Sequence, residues 1–262
     1  MISISSTELY TWIAAFLWPL TRILGLIATA PLFGNLAVPM RVKLGLGIML
    51  TLVIAPAVPA MPAADPMSFA GLLILLQQLV IGLSMGFAMR IVLAAVEMAG
   101  EVAGLTMGFG FATFFDPQTR ARSSALAQFL ALLALMIFLA LNVHLMLIAT
   151  LAESFVTLPV SAQPMGGGGF RQVAVWGGLI FSSGVQLALP IIAALLLTNI
   201  ALGILTRAAP QLNLFGIGFP VTLGAGFIVL MLSLPYLATP LERLFEQGNN
   251  FIRQTLAVPA QR

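Results

Sequence analysis

Between Arg171 and Arg207 the chain reads QVAVWGGLIFSSGVQLALPIIAALLLTNIALGILT, Gln172 to Thr206, without a single Asp, Glu, Lys or Arg. A helix crossing a hydrocarbon core of about 30 Å needs roughly 20 apolar residues. This run is far longer, and two others match it: none of the four charged residue types lies between Arg122 and Glu153, or between Arg207 and Glu242. At about 1.5 Å per residue, straight helices of this length overshoot a bilayer. They must tilt, kink or project beyond it, and Pro190, Pro220 and Pro235 offer kinks. Working outward, the chain is a series of apolar runs at approximately 9–30, 44–60, 69–96, 123–152, 172–206 and 208–241, cut by short polar or Pro/Gly-rich loops. The expected fold is all-α, an integral membrane-type protein of long, tilted or kinked helices.

Composition supports this reading. Of 262 residues, 60% are hydrophobic and 7% charged, against roughly 45–50% and about 25% in a soluble domain. A chain of this length lacks the interior to hide so much apolar surface, so the excess faces lipid or other protein. A free cytosolic enzyme, a disordered tail and a nucleic-acid binder are excluded. The net charge of +3 is spread over scattered arginines, which is no nucleic-acid footprint. There is no Cys and only one His, so neither a disulfide, a thiolate metal site nor a multi-His cluster can form. The phosphate-loop, dinucleotide and HExxH patterns are missing. Asp65 and Asp116 are the only aspartates and both precede Pro, which argues against an intramembrane aspartyl hydrolase. His144 reads as a hydrogen-bonded structural residue. No catalysis, cofactor, metal or small-molecule substrate is expected.

Several helix ends are legible. Ser5-Ser6-Thr7-Glu8 forms a capping box, with Ser5 as N-cap. The segment after it lacks the basic n-region of a signal peptide and is long for its apolar core, so it is expected to be a retained helix, interrupted midway by Pro19 and Arg22. An Arg inside such a segment costs at least ~2.5 kcal/mol in lipid, which predicts that Arg22 faces protein or water. Asp65-Pro66 and Asp116-Pro117 each place an acceptor before a Pro suited to the first helical position, and Thr239-Pro240-Leu241-Glu242 does the same with a capping box. The following helix puts Leu241, Leu244, Phe245, Gly248, Phe251 and Ile252 on one face and Glu242, Arg243, Glu246, Asn249, Asn250 and Arg253 elsewhere. Gly166 to Gly169 form a flexible linker. The expected organisation is therefore 1–163, a Gly-rich linker at 164–171, a helical hairpin at 172–240, and an amphipathic helix and tail at 241–262. With six spans, the loops bearing Arg41, Lys43, Arg90, Arg120, Arg122 and Arg207 outweigh the side bearing Arg171, Arg243, Arg253 and Arg262, which favours a cytoplasmic Arg207 loop.

Four constellations remain. Gly82 and Gly86, and Gly100, Gly104 and Gly108, recur at four-residue spacing, which lets helices approach closely. Glu97 and Glu101 share a helical face, with Arg90 two turns upstream of Glu97. Such carboxylates repel each other; they face a lumen, pair with arginines or relay protons. Met107-Gly108-Phe109-Gly110-Phe111-Ala-Thr-Phe114-Phe115-Asp116-Pro117 holds four Phe within seven residues. A loop this aromatic is buried, interfacial or pore-obstructing. Arg207-Ala-Ala-Pro210-Gln211-Leu-Asn213 reads as a tight polar turn between two long helices.

These last two stretches, with Leu141-Asn-Val-His144-Leu, Thr157-Leu-Pro159, Gly218-Phe-Pro220 and Pro31-Leu-Phe-Gly34, occur in an order that resembles the FliR family, the flagellar branch of the type III secretion export apparatus. The resemblance spans nearly the whole chain. It implies a non-enzymatic structural subunit of a protein-export gate in the bacterial inner membrane, within the flagellar basal body. FliP-like and FliQ-like chains and an FlhB-like switch protein are its implied partners, and unfolded flagellar subunits its cargo. It further implies a FliP-like part at 1–163 joined to a FliQ-like hairpin at 172–240. The loop Met107–Pro117 would plug the channel, and Arg207, Pro210, Gln211 and Asn213 would lie at its cytoplasmic entrance. The competing reading is a secondary transporter for a small solute built from broken helices, against which stands the lack of a convincing internal repeat.

Overall fold

The computed structural model describes residues 6–59, 62, 64–111, 124–161, 168–209 and 214–257. Among them every regular element is a helix: α1 (Ser6–Thr29), α2 (Met40–Ile54), α3 (Phe69–Met107), α4 (Ala125–Ala140), α5 (Val143–Thr157), α6 (Gly168–Trp176), α7 (Leu179–Ala208), α8 (Leu214–Ser233) and α9 (Ala238–Ala257), with short 3₁₀ turns at Ala55–Ala57, Phe109–Phe111 and Leu234–Tyr236. Five are long and apolar enough to cross a membrane, or six if the broken pair α4–α5 counts as one span. Contacts divide the chain into two compact units. One comprises Met1–Ile91, Asn142–Gly177 and Phe245–Arg262; the other comprises Val92–Leu141 and Gly178–Leu244.

In the first unit, glycine decides how close the helices come. Gly25 on α1 and Gly82 and Gly86 on α3 lie at the α1–α3 crossing. A Cβ on Gly82 would overlap the Arg22 carbonyl, and one on Gly25 would stand 2.7 Å from the Leu79 carbonyl oxygen. The backbones are thus in direct contact, the arrangement expected of small residues at four-residue spacing. The Thr29 hydroxyl donates across the crossing to the Leu83 carbonyl at 3.0 Å. Trp18, Arg22, Ile23, Leu26 and Ile27 on α1 and Ile74, Gln78, Ile81 and Met85 on α3 are all buried from solvent. Helix α2 leans on α1 through Gly47, whose Cβ would fall 2.6 Å from Leu24. The later half of α9 closes on α5 and α6: Thr150 Oγ1 donates to Asn249 Oδ1 at 2.7 Å, and Trp176 stacks on Phe251 with centroids 4.4 Å apart.

The second unit repeats the device. Gly100 lies against the backbone of Ala127, Gly184 against Met98 and the Ala95 carbonyl, and Gly226 against the Met107 side chain. Helices α7 and α8 form a hairpin beside the end of α3. The span-length segments Met40–Ala57, Arg171–Ala208 and Gly218–Tyr236 are each only 17% buried, against 56% for α3. Their apolar faces therefore await lipid or another chain.

Several sequence expectations change. The third run extends well past residue 96, through Glu97 and Glu101 to Met107, because two carboxylates with an outlet to solvent or a hydrogen bond do not stop a helix. At 39 residues it is roughly 58 Å long, about twice the hydrocarbon thickness. Pro19 does not interrupt α1, which runs unbroken to Thr29; one missing N–H is tolerated when the flanking Trp18 and Arg22 are both held by protein. The fourth run breaks at Leu141–Asn142, where Asn142 adopts φ 55°, a left-handed conformation that Asn tolerates better than most residues. The cap of α3 is Ser68, whose hydroxyl accepts from Gly71 N–H at 3.1 Å, while Asp65 turns back onto Met67 N–H. Gly168 and Gly169 belong to α6 rather than to a linker. Helix α9 starts one residue before Thr239, which places Pro240 in its first turn. Asn249 is buried against Thr150 rather than lying off the apolar face. Ser5, Asp116 and Pro117 fall outside the described residues.

Gly82→Val tests the α1–α3 contact. Forcing apart two touching backbones is expected to cost ~1–3 kcal/mol or more, read as a lowered thermal unfolding midpoint of the detergent-purified protein. Gly45→Val, where nothing lies within 4 Å of the added Cβ, is expected to leave the midpoint near wild type.

Candidate functional site

Two sets of residues make up the candidate site: the start of the Phe-rich segment in the second unit, and the charged residues expected within the apolar helices.

Helix α3 ends because Gly108 takes φ 94°, a conformation open to glycine and strained for side-chain-bearing residues. The chain then enters the 3₁₀ turn Phe109–Phe111. Two contacts fasten this start. Met107 is fully buried and seated on Gly226 of α8. Phe109 meets Phe227 edge to face, with centroids 6.0 Å apart and planes at 87°, a favoured aromatic geometry. At Gly110, in the middle of the turn, an added Cβ would meet Leu105 at 3.6 Å among the described residues. Of the expected plug residues, Met107 ends α3, Gly108 follows it, and Phe109, Gly110 and Phe111 form this turn, while Phe114, Phe115, Asp116 and Pro117 lie outside the described residues.

The four expected intramembrane charges have different settings. Arg22 is wholly buried in the first unit. Its Nε donates to Gln78 Oε1 at 2.8 Å, one terminal nitrogen donates to the Ser154 carbonyl at 2.9 Å and hydroxyl at 3.0 Å, and the other to the Leu158 carbonyl at 2.9 Å. The guanidinium also lies 4.2 Å from the Phe155 ring centroid, within cation–π range. Among the described residues no carboxylate takes part. The positive charge is met by the carbonyl end of α5, where the helix dipole is negative, and by an aromatic face. Arg90 and Glu97 are exposed on α3, and Glu101 is half-buried. Glu101 accepts from Ser124 N–H at 2.6 Å. Among the described residues neither carboxylate meets an arginine; the ion pair found there joins Arg253 and Glu153 at 3.1 Å.

Arg207 is exposed in the last turn of α7, where a cation suits the carbonyl end of the helix. Pro210, Gln211 and Asn213 lie outside the described residues. Sequence reasoning singled out Arg22 but not its acceptors. Gln78 and Ser154 carried a faint signal as polar side chains inside apolar helices, and Ser124 carried none.

The sequence model of "Bacterial export proteins, family 1" matches residues 13–248. The flagellar biosynthetic protein FliR of Pectobacterium carotovorum subsp. carotovorum is 46% identical over 247 residues, 94% of each chain. This chain belongs to the FliR family. The FliR of Escherichia coli (strain K12) is 42% identical over 257 residues, 98% of each chain. That of Bacillus subtilis (strain 168) is 29% identical over 248 residues, 93% of this chain and 95% of that one. As a FliR-family chain it is a membrane-embedded flagellar export protein and not an enzyme, and the sites above are to be read for structure and passage rather than for catalysis.

Arg22→Met removes the donor set while keeping much of the apolar stem. It strands Gln78 Oε1 and the acceptors at the end of α5, at an expected cost of about 3 kcal/mol. Denaturant titration in detergent would show it, and Arg22→Lys is expected to recover only a minor part, since a compact ammonium cannot span the four acceptor atoms on Gln78, Ser154 and Leu158.

Proposed function

We propose that this chain helps to line the channel of the flagellar type III protein-export gate, and that the segment Met107–Pro117 obstructs that channel when no substrate passes. The observation that carries the reading is the Gly108 turn. A 39-residue apolar helix stops at a left-handed glycine and leads at once into a run of phenylalanines whose first ring is held by Phe227. A loop with a fixed root and an aromatic body suits a seal, because apolar rings exclude water and ions and still yield to a passing polypeptide. The sparsely buried faces of α2, α7 and α8 suit the walls of an assembly.

On this reading the partners are FliP-like and FliQ-like subunits and an FlhB-like switch protein in the inner-membrane part of the flagellar basal body, and the cargo is unfolded flagellar subunits. Residues 1–163 play the FliP-like part and 172–240 the FliQ-like hairpin. The turn at Arg207, Pro210, Gln211 and Asn213 faces the cytoplasmic entrance.

Deleting Gly110–Phe115 in the assembled complex is expected to raise small-ion leakage across the membrane several-fold, measured as conductance or as loss of membrane potential in cells. Unchanged conductance would remove the plug assignment. A photo-crosslinker placed at Arg207 is expected to capture an FlhB-like chain; capture of lipid alone would move this turn away from the entrance.

A further inference from the structure

Helix α4 begins at Ala125 with Ser124 as its N-cap. The Ser124 hydroxyl accepts from Ala127 N–H at 3.1 Å. In a complete capping box the third helical residue is Glu or Gln and reaches back to the N-cap's own N–H. Here that residue is Ala127, and it cannot be larger: it is fully buried, and its backbone lies against Gly100 of α3 with no room for a Cβ on the glycine. The missing acceptor comes from another helix. Glu101 Oε1, on the next residue of α3, takes the Ser124 N–H at 2.6 Å, short even for a charge-assisted bond. The carboxylate also sits at the positive end of the α4 dipole. Gly104, one turn on, leaves space for Ser124, whose Oγ would be 3.1 Å from a Cβ there.

We infer that Glu101 completes the α4 capping box in trans and is the positioning residue that holds the far end of the Phe-rich connection against α3. The near end is set by Gly108 and by Met107 on Gly226. Glu101 sets the other, two turns back along the same helix, so both ends are referred to one rigid element. This role rests on the channel-sealing reading above for its functional consequence, but the cap itself stands on Glu101, Ser124, Ala127 and Gly100 alone.

The test uses the assembled export complex and two readouts: hydrogen exchange of peptides covering Ser124 and the first turn of α4, and small-ion leakage. Glu101→Ala is expected to speed exchange there at least tenfold and to raise leakage several-fold. Glu101→Gln keeps an acceptor oxygen at the same reach but loses the charge, and is expected to fall between wild type and Glu101→Ala in both. Ser124 has φ −64°, which a proline ring accepts. Ser124→Pro thus removes the donated N–H from the other side and is expected to leak like Glu101→Ala, whereas Ser124→Ala, which keeps that N–H, leaks less. Since Ser124→Pro also removes the capping hydroxyl, the double variant Glu101→Ala with Ser124→Pro is expected to leak no more than Ser124→Pro alone.

Wild-type exchange in Glu101→Ala overturns the trans cap. Faster exchange without leakage overturns the positioning role, provided that deletion of Gly110–Phe115 does leak. If that deletion does not leak, the sealing reading fails, and the exchange result alone decides the cap.

Discussion

The first unit depends on one buried guanidinium. Arg22 is removed from both water and lipid, and an isolated charge in such a place is prohibitively costly. Its cost is offset only while Gln78, Ser154, Leu158 and Phe155 stand where they do. That condition fixes α1 against α3 and both against the end of α5. Close approach makes the geometry reachable: with the helices parted by a single Cβ at Gly82, the Arg22 backbone would move and the four hydrogen bonds would lengthen together. Among the described residues no carboxylate pairs with it; neutral oxygens and the Phe155 ring face the guanidinium.

The second unit is governed by helix α3 in another way. Its last turns carry Gly100, Glu101, Gly104, Met107 and Gly108, and each meets a different need: backbone contact with α4, an acceptor for the α4 N-cap, room for Ser124, a seat on Gly226, and the left-handed exit into the aromatic turn. The glycines at 100, 104 and 108 are spaced as a packing stripe, yet only the first two serve contact. The third serves conformation.

The places where sequence and structure part have physical causes. Helix α3 outruns its apolar stretch because a carboxylate on an amphipathic end is stabilised by an outside N–H, which no periodicity reveals. Asn249 sits among charged neighbours in sequence and looks solvent-bound, but Thr150 lies nearly a hundred residues away and offers the hydroxyl that draws it in. Ser68 displaces Asp65 as the cap of α3 because Asp65 satisfies Met67 N–H one turn too early. The break at Asn142 carried one local signal, an Asn inside an apolar run, because Asn tolerates the left-handed backbone better than its neighbours do.

The sequence by itself determined the class: apolar runs too long and too uncharged for anything but membrane-type helices, an arginine that could not face lipid, glycine spacings that call for touching helices, and a Phe-rich segment unlike an ordinary loop. It also carried the ordered stretches by which the FliR family is known. Tertiary structure alone decided the partners. Which acceptors take the Arg22 hydrogen bonds, why Ala127 must be small, and why Glu101 rather than a residue of α4 takes the Ser124 N–H are all matters of which backbones touch. Hydrogen bonds and close contacts act over about 3 Å of space, and distance along the chain does not encode them.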